Sequence, residues 1–143
     1  MQVRRLEHYN IRTTKFDETV KFYDDVLGMK AARPPMMPDG DWPPSWIYDD
    51  SGIAAIHLTP VDPADPQGSY AKISQYRGGE PDATFHGSGA IDHVAFECEG
   101  FDEIKDRLRS NKVDFVENSF PNFNLKQIFF KDPNGVTLEL NFR

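Results

Sequence analysis

A single cysteine, Cys98, leaves no disulfide to form within the chain and suits a reducing compartment. No apolar run approaches the ~20 residues that cross a bilayer, and the N-terminal MQVRRLEHYN lacks the apolar segment of a signal peptide. Basic residues are also in deficit: 16 Lys and Arg stand against 23 Asp and Glu, for a net charge of -7 and a pI near 5.0. That balance speaks against nucleic acid or an anionic membrane as partner. Together these absences predict an acidic, globular, cytoplasmic protein. Its 143 residues make one domain, residues 1–143, long enough to bury roughly two-thirds of the unfolded surface.

The most informative stretch is KDPNGVTLELN, residues 131–141. Asp132-Pro133-Asn134-Gly135 has turn chemistry, since Pro fixes φ and Asn-Gly tolerates φ > 0. A strand follows, with Val136, Leu138, Leu140 and Phe142 on one face and Thr137, Glu139 and Asn141 on the other. Leu6 to Thr13 reads as another strand, with Leu6, His8, Asn10 and Arg12 sharing a face. Thr14 and Asp17 supply an N-cap and an acidic first turn for a helix whose apolar stripe is Val20, Tyr23, Val26 and Leu27, with Gly28 as its stop. Weaker strands are predicted at Met29–Arg33, Trp46–Asp49 and Ile53–Val61, the last with Ala55, His57 and Thr59 on one face.

Residues 34–44 form a proline-rich loop, and 62–88 a polar connector with Pro and Gly throughout. Ile91–Cys98 is then a strand with Ile91, His93, Ala95 and Glu97 on one side, and Cys98 sits with Val94 and Phe96 as core. A helix carrying Phe101, Ile104 and Leu108, opened by Asp102 and Glu103, leads to strands at Asp114–Ser119, Leu125–Lys131 and Val136–Phe142. The order is β-α-β-β-β twice, residues 1–61 and 89–143, an α+β fold of two βαβββ modules. Laid on each other, the copies match His8 with His93 and Asp17 with Asp102 at an offset of 85, and His57 with Glu139 at 82. Helix capping accounts for the aspartates. The connector's His86 has no repeat partner and reads as a loop residue.

His8, His93, His57 and Glu139 therefore occupy equivalent places, opposite the apolar faces that cover the helices. If the two modules pair edge to edge, their polar faces make one cupped mixed sheet on which the four converge. Three imidazoles and a carboxylate suit a divalent transition ion (Ni, Co, Zn, Fe or Mn) and suit Mg or Ca poorly.

LEHYNIRT, FDETVKFYDDVLGMK, IDHVAFEC and KDPNGVTLEL resemble the vicinal oxygen chelate superfamily of glyoxalase I, methylmalonyl-CoA epimerase, extradiol dioxygenases, and fosfomycin and bleomycin resistance proteins. The resemblance implies a cupped metal site, usually in a homodimer. His8, His93 and Glu139 match the superfamily's first, third and fourth ligand positions. His57 stands where glyoxalase I has Glu and the epimerase Gln. Arg12 sits where bacterial glyoxalase I grips the glutathione carboxylate, but Val61 replaces the Asn expected four residues after the second ligand, which argues against glutathione. Phe129 stands where an extradiol dioxygenase has Tyr.

An octahedral ion held by all four would keep two adjacent positions for vicinal oxygens of a small-molecule substrate. It would act as a Lewis acid toward an enediolate, with Glu139 or His57 as the acid-base residue. Lyase, isomerase or epimerase chemistry follows. Arg12, Asn10 and Asn141 are candidate substrate contacts. With only His8, His93 and Glu139 bound, an Fe(II) dioxygenase becomes the alternative, and a bleomycin-resistance-type small-molecule binder is a third reading. Trp42, Trp46, Met36, Met37, Phe85 and Phe123 are candidate pocket walls, or equally core or dimer interface.

Overall fold

The computed structural model describes residues 1, 6–35, 37, 40–41, 43–74, 84–89 and 91–143. Trp42 and Met36 lie outside the described residues. The first half contains β1 (Tyr9–Thr13), α1 (Phe16–Leu27), β2 (Lys30–Ala32), β3 (Trp46–Tyr48) and β4 (Ile56–Pro60). A helix, α2 (Pro66–Ser74), follows. The second half runs β5 (Val94–Glu97), α3 (Phe101–Ser110), β6 (Phe115–Phe120), β7 (Leu125–Lys131) and β8 (Thr137–Phe142).

Each half makes a four-stranded mixed sheet, in the orders β1-β4-β3-β2 and β5-β8-β7-β6. In both, the first and last strands run parallel, with Asn10 opposite His57 and Ala95 opposite Glu139. Those two pairings are equivalent under the offsets of 85 and 82, so the repeat seen in the sequence is a repeat of backbone register. Leu138, Leu140 and Phe142 are buried as expected, and Glu139 between them is buried too. Among the described residues the two sheets are separate hydrogen-bonded units.

The turn before the last strand is duplicated too. In the second half, Asp132 Oδ1 accepts from the N–H groups of Asn134 and Val136, both at 2.9 Å. In the first, Asp49 Oδ1 accepts from Ser51 and Ile53 at the same distance. Gly52 and Gly135 both adopt φ 79°, a conformation that glycine takes without a Cβ clash. The first copy carries one more residue between turn and strand, taken up where Ala55 N–H bonds Ile53 C=O at 2.8 Å. That extra residue shifts the offset from 83 at the turn to 82 at His57.

Helix α1 ends as its sequence dictates: Gly28 is left-handed at φ 71°, donating to Asp24 C=O, while Met29 donates to Tyr23 C=O. Its start differs from expectation. Lys15, not Thr14, is the N-cap residue, and no side chain caps the helix. Thr13 Oγ1 instead accepts from Lys15 N–H at 2.9 Å, fixing the turn one residue earlier. The connector holds a helix that its Pro and Gly content concealed. Pro66 opens α2, where its missing N–H costs nothing, and Asp65 Oδ1 accepts from Gly68 N–H at 3.0 Å. Tyr70 of α2 packs with Val61 and Phe85.

One apolar cluster draws on both halves, including Tyr23, Val26, Leu108, Ile128 and Leu138. Cys98 packs against it, as expected, and burial pushes its thiol pKa up to about 11. A buried polar network crosses between the halves at α1. Tyr23 hydroxyl donates to Asp132 Oδ2 at 3.1 Å and stands 3.3 Å from the Tyr9 hydroxyl. Asn134 Nδ2 donates to Thr19 Oγ1 at 2.9 Å, and Thr19 Oγ1 donates to Lys15 C=O at 2.7 Å. Burial raises the pKa of Asp132 and holds both tyrosines well above the usual range. Among the described residues no buried side-chain nitrogen or oxygen is left without a partner.

Candidate metal centre

His8, the residue just before β1, comes together with His57 of β4. Their rings stack 3.7 Å apart between centroids at 17°, and His57 also stacks on Trp46 at 4.2 Å and 6°. Trp46 lies directly opposite His57 across the β3–β4 pairing, so the stack follows from register.

The equivalent pair in the second half is tighter. His93 Nε2 lies 2.8 Å from Glu139 Oε2, and Nδ1 lies 2.8 Å from Asp92 Oδ1. Glu139 is only 7% exposed, because His93 and the neighbouring strand cover it. Phe129, opposite Glu139 across β7–β8, presents its ring edge-on to His93 at 5.8 Å. The Asp92 hydrogen bond raises the His93 pKa above the ordinary histidine value, and the Glu139 charge adds to it.

Two ligands each ~2.1 Å from one ion and at right angles stand about 3 Å apart. The His93–Glu139 separation of 2.8 Å matches that spacing. The two pairs each supply two of the side chains that a coordination sphere needs. They are not assembled into one: among the described residues no three His, Cys, Asp or Glu side chains are grouped to hold a metal ion.

Asn10 accepts a 2.8 Å hydrogen bond from Thr59. Arg12 reaches the Tyr70 hydroxyl at 3.4 Å and lies over that ring at 5.2 Å. A cavity of about 110 Å3 opens beside β1, with Asn10, Arg12, Phe85 and Ile91 among its walls. Larger cavities, about 580 and 480 Å3, adjoin Cys98 and Glu99 and include none of the candidate site residues. Phe123 stands 77% exposed. Val61 is buried against Tyr70, away from any polar role. His86 lies against the Gly135 backbone, where an added Cβ would come within 2.6 Å of its ring.

Two contributors escape a reading of the sequence. Gln127 Nε2 donates to Glu139 Oε1 at 2.5 Å and to Asn141 Oδ1 at 3.0 Å. Asp92 holds the far nitrogen of His93, and it has a counterpart: Glu7 Oε2 lies 3.8 Å from His8 Nδ1. Glu7 and Asp92 are 85 apart, like the histidines they precede, so that signal was available in the sequence. Leu6 and Ile91 share the same offset and are 77% and 61% exposed beside the two half-sites.

The chain is similar to known proteins over nearly its whole length. Glyoxylase I 4 of Arabidopsis thaliana is 24% identical over 142 residues, which is 98% of this chain and 71% of the relative. Among solved structures, a glyoxalase/bleomycin resistance protein/dioxygenase from Nocardioides superposes with a TM-score of 0.63 at 20% identity, covering 99% of this chain and 85% of the other. The trypanothione-dependent glyoxalase I of Leishmania major gives 0.56 at 24%, covering 96% and 86%. With residues 5–140 matching its family description, the chain belongs to the Glyoxalase/Bleomycin resistance protein/Dioxygenase superfamily.

Proposed function

We propose that this protein is a metal-dependent lyase, isomerase or epimerase acting on a small substrate with vicinal oxygens, and that it works as a homodimer. The observation that carries the reading is the His93–Glu139 pair at 2.8 Å, with the His8–His57 pair at the equivalent place in the other half. His8, His57, His93 and Glu139 would hold a divalent transition ion. When bound, that ion supplies Lewis acidity toward substrate oxygens and lowers the barrier to removing a proton beside a carbonyl.

The chain's own residues supply the rest. His57 is flanked by rings and half-buried, and as a loosely bound ligand it would leave the ion to take up a proton and return it. Trp46 and Phe129, equivalent in the two halves, give each half-site an aromatic wall. Arg12 and Asn10 line the adjoining cavity and would orient polar groups of the substrate. A second copy completes the site on this reading. It would bring one half-site to the other and cover Leu6 and Ile91, which stand exposed beside the ligand pairs.

Elemental analysis of the purified protein is expected to find close to one transition ion per chain, lost in His93→Ala, in a dimer by sedimentation. Proton exchange into α-hydroxycarbonyl compounds under Ni or Co is expected. Oxygen uptake with catechols on Fe(II)-loaded protein would instead establish the dioxygenase alternative. A metal-free protein whose small-molecule binding survives His93→Ala would establish the binder. A monomer carrying one ion per chain would overturn the two-copy site.

A further inference from the structure

We infer that Gln127 is a positioning residue that fixes which carboxylate oxygen Glu139 presents beside His93. The inference rests on the proposed metal site and deepens it. Glu139 has two oxygens, and they meet different partners: Oε1 accepts from Gln127 Nε2 at 2.5 Å, and Oε2 faces His93 Nε2 at 2.8 Å. The Gln127 amide is itself anchored, because the same nitrogen donates to Asn141 Oδ1 at 3.0 Å. Gln127 lies opposite Asn141 in the β7–β8 ladder, and Glu139 is two residues along on the same face. Register, not loop geometry, holds the amide in reach of both.

A carboxylate tied through one oxygen offers only the other to an ion. Glu139 so tied would bind an ion through Oε2 and would be held from rotating toward two-atom binding. Glu139 is nearly buried and Asn141 half-buried, so a free Oε1 would have few other donors to turn to. Partners of this kind orient ligands, and their removal costs about 10–100-fold in metal affinity. Gln127 also restricts Glu139 as a proton carrier, which leaves that task to His57.

Calorimetric titration of the full chain with Co(II), read together with the visible absorption of the ion, compares the native protein with Gln127→Met. Methionine keeps the length and volume and removes the N–H donors. The expected result is a Kd raised about 10–100-fold, an altered absorption envelope, and a melting temperature within a few degrees of native. A Kd within threefold of native with an unchanged envelope overturns the inference. Should Gln127→Met not fold, Gln127→Leu carries the same comparison. A metal-free readout separates this inference from the function it rests on. The side-chain amide protons of Gln127 are expected to be downfield-shifted and slow to exchange, and to move in Glu139→Gln. If the native chain binds no Co(II), the proposed function falls and the amide signals alone decide. Amide signals at free-glutamine values overturn the positioning role.

Discussion

Replacing Tyr23 with Phe removes one oxygen from the centre of the molecule and leaves the ring where it is. The Tyr23 side chain is fully buried, and its ring packs edge-on against Phe22 at 5.6 Å, a contact that Phe keeps. What disappears is the donor to Asp132 Oδ2 at 3.1 Å and the partner of the Tyr9 hydroxyl at 3.3 Å. Asp132 Oδ2 then keeps only a 3.4 Å contact from Asn134 Nδ2, and its other oxygen is already committed to two backbone N–H groups. A buried carboxylate short of a donor costs about 1.5–3 kcal/mol, and an orphaned hydroxyl adds to that, so a loss of about 2–3 kcal/mol is expected. For a chain of this length that lowers Tm by about 7–10 °C. Urea unfolding at neutral pH should show a lower midpoint with an unchanged slope. Adding Asp132→Asn should recover part of the loss, since the amide no longer presents a buried charge in need of the donor. A Tyr23→Phe loss below about 0.5 kcal/mol would refute the view that this network joins the two halves.

The duplicated turns give a matched pair of substitutions. Gly52→Ala meets nothing within 4 Å and is expected to cost about 1 kcal/mol of left-handed strain, whereas Gly135→Ala adds a Cβ 2.6 Å from the His86 ring and 3.2 Å from Gly87 N and should cost about 2–3 kcal/mol. Equal losses in denaturant midpoint would contradict the packing of residues 86–87 on the second turn. Cys98, with its pKa near 11, should react with a disulfide reagent at pH 8 about two orders of magnitude more slowly than a free thiol, and tenfold faster per pH unit up to that value. A fast reaction at pH 8 would show the thiol to be solvated.

The legible part of the fold was the part fixed by local chemistry. The Asp132–Gly135 turn, the Gly28 stop and the alternation along β8 each depend on residues within a few positions of one another. Repeat offsets went further and fixed cross-strand register, because two copies of a βαβββ unit must pair their first and last strands alike. Helix α2 was hidden by its own start: Asp65-Pro66 is a good helix opening, yet in a run rich in Pro and Gly it reads as loop. Gln127 was invisible for another reason. In LKQIFFK it is an ordinary polar residue, and only the antiparallel register of β7 on β8 brings it to Glu139. Equivalence of the half-sites could be read from spacing, but the separation of the pairs could not. It depends on how α1 docks against the second half through Tyr23, Asp132 and Asn134, contacts between residues more than a hundred positions apart.

Those long-range contacts also govern synthesis. Thr19 and Tyr23 emerge from the ribosome early, while Asn134 and Asp132 lie 115 and 109 residues downstream. At translation rates of about 5–20 residues per second, helix α1 waits roughly 5–20 s for its buried polar partners. Until then the nascent N-terminal half must stay soluble with Thr19 and Tyr23 lacking those partners.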